Sequence, residues 1–238
     1  MNRRTFITNT ALAAATVGLN LGSGGVFASS SSATRISREQ YDYWFVFDGL
    51  GVLYDINDPT GGIQDNWRMT ERLRKDVLAS GLSCYRQTTG APFPAYPGDD
   101  AFEQAVTILS QHQKLIDANS DVLTLVRTFK DIEQAQKDNK VAVTLGFQNS
   151  HVIGDNLGHI DTFKHLGVLT MQLTYNGQNQ IGGGTNTNPR LPLTEFGHKV
   201  VEKMNEANVL IDLSHSGERT CLEALAASKE PVTISHSG

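Results

Sequence analysis

The sequence is poor in cysteine: only Cys84 and Cys221 occur in 238 residues, far apart in the chain. A disulfide-built scaffold is excluded even in an oxidising compartment, leaving either one bridge between them or two buried thiols acting as small hydrophobes. Basic residues are also in deficit, with 20 Lys and Arg against 25 Asp and Glu and a formal charge of −5. Nucleic acid and anionic lipid are therefore not expected as partners. No stretch suits a stable membrane span: the charge-free run from Ala11 to Leu21 falls short of the ~20 apolar residues a bilayer crossing takes. Two catalytic signatures are missing as well. There is no Gly-x-Ser-x-Gly elbow, and Gly182-Gly183-Gly184 is not followed by the Lys-Ser/Thr of a phosphate-binding loop.

What is present begins with Arg3-Arg4-Thr5-Phe6-Ile7, the apolar run, and Val26-Phe27-Ala28 ahead of a serine tract. This order predicts an export signal of the twin-arginine type over residues 1–28, a Ser-rich linker over 29–40 and a folded domain over 41–238. The expected location is periplasmic or extracellular.

Within the domain, short apolar runs alternate with amphipathic stretches. The runs are Tyr43 to Phe47, Gly81 to Tyr85, Val141 to Gly146, Val168 to Leu173, Val209 to Leu213 and Pro231 to Ser235. Each is nearly continuous in apolar or small residues, as parallel strands covered on both faces require. One helix follows Thr194 as N-cap and aligns Phe196, Val200 and Met204 on one stripe, with Val201 beside them. The next, about Glu218 to Ser228, is read with Leu222, Leu225 and Ala226 inward.

The fold class is thus α/β, with a (β/α)8 barrel of TIM type favoured over an open doubly wound sheet. The chain stops at Gly238, just after the sixth run, whereas such a barrel takes eight strands and ~250 residues, so an incomplete barrel of about six strands is expected. Polar residues recur at the run ends: Asp48, Gln148, Tyr175, His215 and His236. A parallel barrel opens all of these positions on one face, where such enzymes build their sites. The dipeptides Ser214-His215 and Ser235-His236 are not expected to share a proton, because neighbouring strand residues point to opposite faces. Asp212 is read as a loop anchor. His112, His159, His165 and His198 are read as surface residues.

The segments Leu193-Thr194-Glu195-Phe196-Gly197, Ile211-Asp212-Leu213-Ser214-His215 and Pro231-Val232-Thr233-Ile234-Ser235-His236-Ser237 resemble the middle of the renal, or membrane, dipeptidase family. Gly146-Phe147-Gln148-Asn149 and Leu173-Thr174-Tyr175-Asn176 are similar to a divergent branch of it, and the resemblance runs from about Trp44 to Gly238. It implies a zinc metallopeptidase that hydrolyses dipeptides or a related small amide, with metal-activated water at the barrel mouth.

Carried over position by position, Leu50 and Val52 stand for the first-strand His and Asp, Gln148 for the bridging Glu, and Tyr175 for the fourth-strand His. Only His215 matches. The resemblance therefore implies at most one zinc, on His215, with Tyr175 and Gln148 at substituted ligand positions. His151, Asn176, Asn179 and His236 are expected to bind substrate or lie nearby. The alternative is a non-catalytic or impaired protein that binds small molecules at the barrel mouth, or an inactive fragment.

Overall fold

The computed structural model describes residues 36–90 and 100–237, and a compact unit begins at Arg38. The export segment, residues 1–28, lies outside the described residues. A helix starting at Arg38 already falls within the stretch read as linker.

Among the described residues, seven strands form one sheet: β1 (Phe47–Gly51), β2 (Cys84–Thr89), β3 (Leu123–Leu125), β4 (Val141–Phe147), β5 (Val168–Gln172), β6 (Leu210–Asp212) and β7 (Val232–Thr233). Their order is β1-β2-β4-β5-β6-β7, and β3 pairs with β4 beside that path. Every pair is parallel. The helices are α1 (Arg38–Tyr43), α2 (Glu71–Ala79), α3 (Ala101–Ala118), α4 (Phe129–Lys137), α5 (Gly158–His165), α6 (Glu195–Glu206) and α7 (Glu218–Ala227). The architecture is an incomplete (β/α)8-type barrel, and its six-strand path follows the six expected runs. The seventh strand, β3, was not anticipated. It aligns on Val141 to Val143, while β5 takes up β4 from Leu145 onward, so two strands share one edge of β4 along its length.

Residues of β4 are buried at every position, which explains the unbroken run Val-Ala-Val-Thr-Leu-Gly-Phe. The strand shares one core with Leu109, Ile160, Met171 and Met204, and Phe147 meets Phe163 edge-on with ring centroids 4.7 Å apart. Each such buried side chain contributes roughly 1.5–3 kcal/mol. Helix α6 starts as expected: the Thr194 hydroxyl accepts the Gly197 N–H at 2.9 Å, and Val200, Val201 and Met204 are buried.

Three expectations need correction. The first strand begins at Phe47, because its ladder starts by pairing Phe47 with Cys84; Tyr43 instead ends α1, and Trp44 and Phe45 are exposed. Helix α7 turns its leucines outward, Leu222 at 60% and Leu225 at 56% exposure, and Ala226 is exposed too. Its buried residues are Thr220 and Ala224, four apart, and the loop before α6 lies against Thr220. His159 is no free surface residue: it stacks on Phe102 at 3.7 Å, and burial lowers the His112 pKa. Both cysteines are unpaired. Cys84 is fully buried, with its thiol pushed up to about 12 by burial, while the Cys221 thiol faces the Leu213 and Ser216 carbonyls.

Candidate functional site

Gln172, Asp212 and Thr233 are register partners at the ends of β5, β6 and β7. Three residues beyond each stand Tyr175, His215 and His236, so a common offset places three rings in one layer above the strands. Tyr175 stacks on His215 at 4.2 Å with 22° between planes, and His215 meets His236 at 4.9 Å and 57°.

His215 has a φ of 61°, left-handed backbone that non-glycine residues enter at a cost. Its carbonyl is held by the Thr185 N–H at 2.9 Å. Its Nδ1–H donates to Asn176 Oδ1 at 2.7 Å; an amide oxygen can only accept, so the lone pair lies on Nε2. Burial lowers the His215 pKa, with the Asp212 charge opposing it, so the imidazole is neutral at pH 7.

Asp212 is fully buried and organises the layer beneath. It accepts from Ser214 N at 3.0 Å, Ser214 Oγ at 2.7 Å, Ser235 N at 3.2 Å and Ser235 Oγ at 2.5 Å. It thus anchors the segment after β7. Ser235 gives its one proton to Asp212, so its oxygen accepts the Nδ1–H of His236 at 2.8 Å. Ser235 and His236 therefore do share a hydrogen bond, contrary to the alternation argument, because both follow the last residue of β7, where the pleat has ended.

The fifth partner of Asp212 is Arg86 on β2, with Nη1 at 2.7 Å from Oδ2. Arg86 is 2% exposed, and its Nη2 donates to Gln172 Oε1 at 3.4 Å. Its stem lies over β4 where only Gly146 allows it: a Cβ there would stand 3.0 Å from Arg86 Cδ. Neighbouring strands are about 4.8 Å apart, so β2 and β6, three spacings apart in a flat sheet, meet through one side chain only because the sheet curls.

The loop from Tyr175 to α6 is tied down rather than flexible. Gly183 N donates to Thr220 Oγ1 at 3.0 Å, Gly217 N donates to Gly183 O at 2.8 Å, and Ile181 to Gly184 are buried. Asn179 spends its amide inside this loop, donating to Asn149 Oδ1 at 2.9 Å and Leu173 O at 2.8 Å and accepting from Ile181 N and Gly182 N. Gln148 is half-buried at the end of β4, and its carbonyl accepts Gln172 Nε2 at 2.9 Å. His151 stands apart from the ring layer, on the 3₁₀ turn Ser150–Ile153, beside a cleft of about 10 Å³ lined by Gly90, Gln104 and Ile108. Thus Tyr175, Asn176, His215 and His236 are brought together, Asn179 is spent inside the loop, and His151 stands apart with its buried Nδ1 lacking a hydrogen-bond partner among the described residues. Arg86 and Gln172 were not singled out from the sequence; an arginine inside a strand that must be buried was the available signal, since such a cation demands a partner.

These residues do not fit a zinc centre. Leu50 and Val52 carry no lone pair, Gln148 and Tyr175 carry no fixed negative charge, and Asp212 is committed to Arg86. Among the described residues, no three His, Cys, Asp or Glu side chains converge to hold a metal ion.

A family model described as membrane dipeptidase (peptidase family M19) matches residues 64–238. A dipeptidase, verJ, from Clonostachys rogersoniana is 32% identical over 125 residues, 52% of this chain and 32% of that protein. An amidohydrolase from Pseudomonas aeruginosa is 32% identical with a TM-score of 0.70, over 83% of this chain and 54% of that one. A metallo peptidase from Rhodobacter sphaeroides, crystallised with a phosphinate mimic of the dipeptide L-Ala-D-Ala, shares the fold at a TM-score of 0.66 and 19% identity, over 81% of this chain and 65% of that one. The chain thus spans about a third of the first relative and about half of the first crystal structure.

Proposed function

Because the chain belongs to the membrane dipeptidase family, peptidase family M19, we propose that the ring layer at the barrel mouth binds and hydrolyses a dipeptide or comparably small amide. The observation that carries this reading is His215, held in left-handed backbone with Nδ1 donated to Asn176 and the Nε2 lone pair directed by that bond. A neutral imidazole so oriented accepts a hydrogen bond from a water or a substrate N–H. Tyr175 and His236 flank it as the walls of the site, and Gln148 stands at the neighbouring strand end. Asn179 supports the loop around it, and His151 lies on the turn after β4. No step is routed through zinc, because the side chains present do not suit the ion. Among the described residues, no helix is long and apolar enough to cross a membrane. With residues 1–28 read as a twin-arginine signal, the reaction is assigned to an exported compartment.

A second reading, binding without turnover, is favoured by Gln148 and Tyr175 at the resembled ligand positions. Both readings are tested by following amine release from a panel of dipeptides and by titrating the phosphinate dipeptide mimic calorimetrically. Turnover that falls at least ~100-fold in His215→Ala is the expected result. Mimic binding with no turnover supports the second reading, and a chain that neither binds nor cleaves sinks both.

A further inference from the structure

We propose that Arg86 is the resident cation of the barrel mouth and that the folded chain holds this site without a divalent ion. The inference deepens the reading above and rests on it only in placing the site at the ring layer.

A dication in a partly dry site needs anionic ligands to offset its charge. Two carboxylates at or beyond the strand ends are buried: Asp212, whose charge is matched by the Arg86 guanidinium at 2.7 Å, and Asp55, in the loop after β1, which pairs with Arg72 at 3.2 Å. Asp48, expected at a strand end, is instead the second residue of β1, away from its carboxyl end; it is exposed and accepts the Leu50 N–H at 2.9 Å. A divalent ion on His215 Nε2 would find the uncharged side chains of Tyr175, Asn176 and His236 around the ring, and beneath them a carboxylate already paired with Arg86. From Arg86 to His236 the network is three hydrogen bonds long: Arg86 Nη1 to Asp212 Oδ2, Ser235 Oγ to the same oxygen, and His236 Nδ1 to Ser235 Oγ.

The demand that remains is neutral as well. The buried atoms of this network with no partner are Arg86 Nε, a donor, and His236 Nε2, an acceptor. One donor and one acceptor suit a group such as an amide or a water. A metal ion could use the imidazole nitrogen but not the guanidinium N–H, which offers no lone pair and carries positive charge. Gly146 leaves the space through which the arginine stem reaches this position, so the cation is built into the barrel interior rather than lying on its surface.

The test uses the full chain, stripped with chelator, incubated with excess zinc chloride and passed over gel filtration, with His215→Ala in parallel. Zinc retained should be below about 0.1 equivalent and equal in both proteins, and the melting temperature should be unchanged by EDTA or zinc; specific binding at 100 times Kd would raise it by roughly 5 °C or more. One equivalent of zinc in the parent, lost in His215→Ala, overturns the proposal. A zinc-free chain that ignores the dipeptide mimic upholds Arg86 as the cation and sinks the amide reading. A zinc-loaded chain that binds the mimic does the reverse.

Discussion

Asp212→Ala is expected to lose about 3–5 kcal/mol of stability, the range for removing one partner of a buried ion pair and leaving the other uncompensated. The carboxylate accepts five hydrogen bonds, from Arg86, twice from Ser214 and twice from Ser235. Its loss strands a guanidinium that is 2% exposed. At roughly 2–4 °C per kcal/mol for a chain of this size, the melting temperature should fall by about 6–20 °C. A urea transition with a lowered midpoint and an unchanged slope would record the same loss.

Asp212→Asn keeps the shape and removes the charge, and it separates packing from electrostatics through pH. Burial pushes the Asp212 carboxyl up, but the bonds from Ser235 and Ser214 and the Arg86 charge outweigh it, so its folded pKa lies below the ordinary 3.8. A lowered folded pKa supplies stability that is fully present above 3.8 and is lost as pH falls through the folded value. The parent should therefore carry an acid limb of destabilisation below that pH that Asp212→Asn lacks in part. Parallel acid profiles in the two proteins would show that the charge contributes nothing.

Gly184→Ala is the second large effect. A Cβ on Gly184 would stand 2.0 Å from the Tyr175 carbonyl oxygen and 2.5 Å from that of Gly177, both backbone atoms that cannot swing aside. The loop must then move, and with it Tyr175, which stacks on His215, and Asn176, which fixes the His215 tautomer. Overpacking of this kind costs about 1–3 kcal/mol or more. Affinity for the dipeptide mimic should drop by about tenfold to a hundredfold as the imidazole loses its orientation. Gly177→Ala is the control, since a Cβ there meets nothing within 4 Å, and it should leave stability within about 0.5 kcal/mol. Equal affinity in the two variants would mean that the loop does not position His215.

Much of this arrangement was legible in the residues themselves. Near-continuous apolar runs marked the barrel path because strands covered on both faces have no solvent side to declare. Thr194 and the stripe through Val200 and Met204 marked α6, where a strong cap and a clear period agree. His215 emerged from its place after a strand, and the fold puts it at the centre of the ring layer. What escaped reading was decided by distant contacts. Helix α7 turns Thr220 toward the glycines of a loop 37 residues away and its leucines outward, a contact that local periodicity does not register. Ser235 and His236 lie past the pleat, where strand alternation no longer governs. Arg86 has no local pattern; its meaning depends on an aspartate across the barrel.

That separation has a kinetic consequence. Arg86 and Asp212 stand 126 residues apart, whereas β4 to β7 join segments that follow one another along the chain. Consecutive units can dock as they meet, but a tie across so long a loop forms only after the entropy of closing that loop has been overcome. The ion pair then acts as a latch closed after the rate-limiting crossing, prolonging the life of the assembled mouth without hastening its assembly. In a chevron plot, Asp212→Ala should raise the unfolding limb and leave the folding limb in place; a slowed folding limb would instead put the pair in the nucleus.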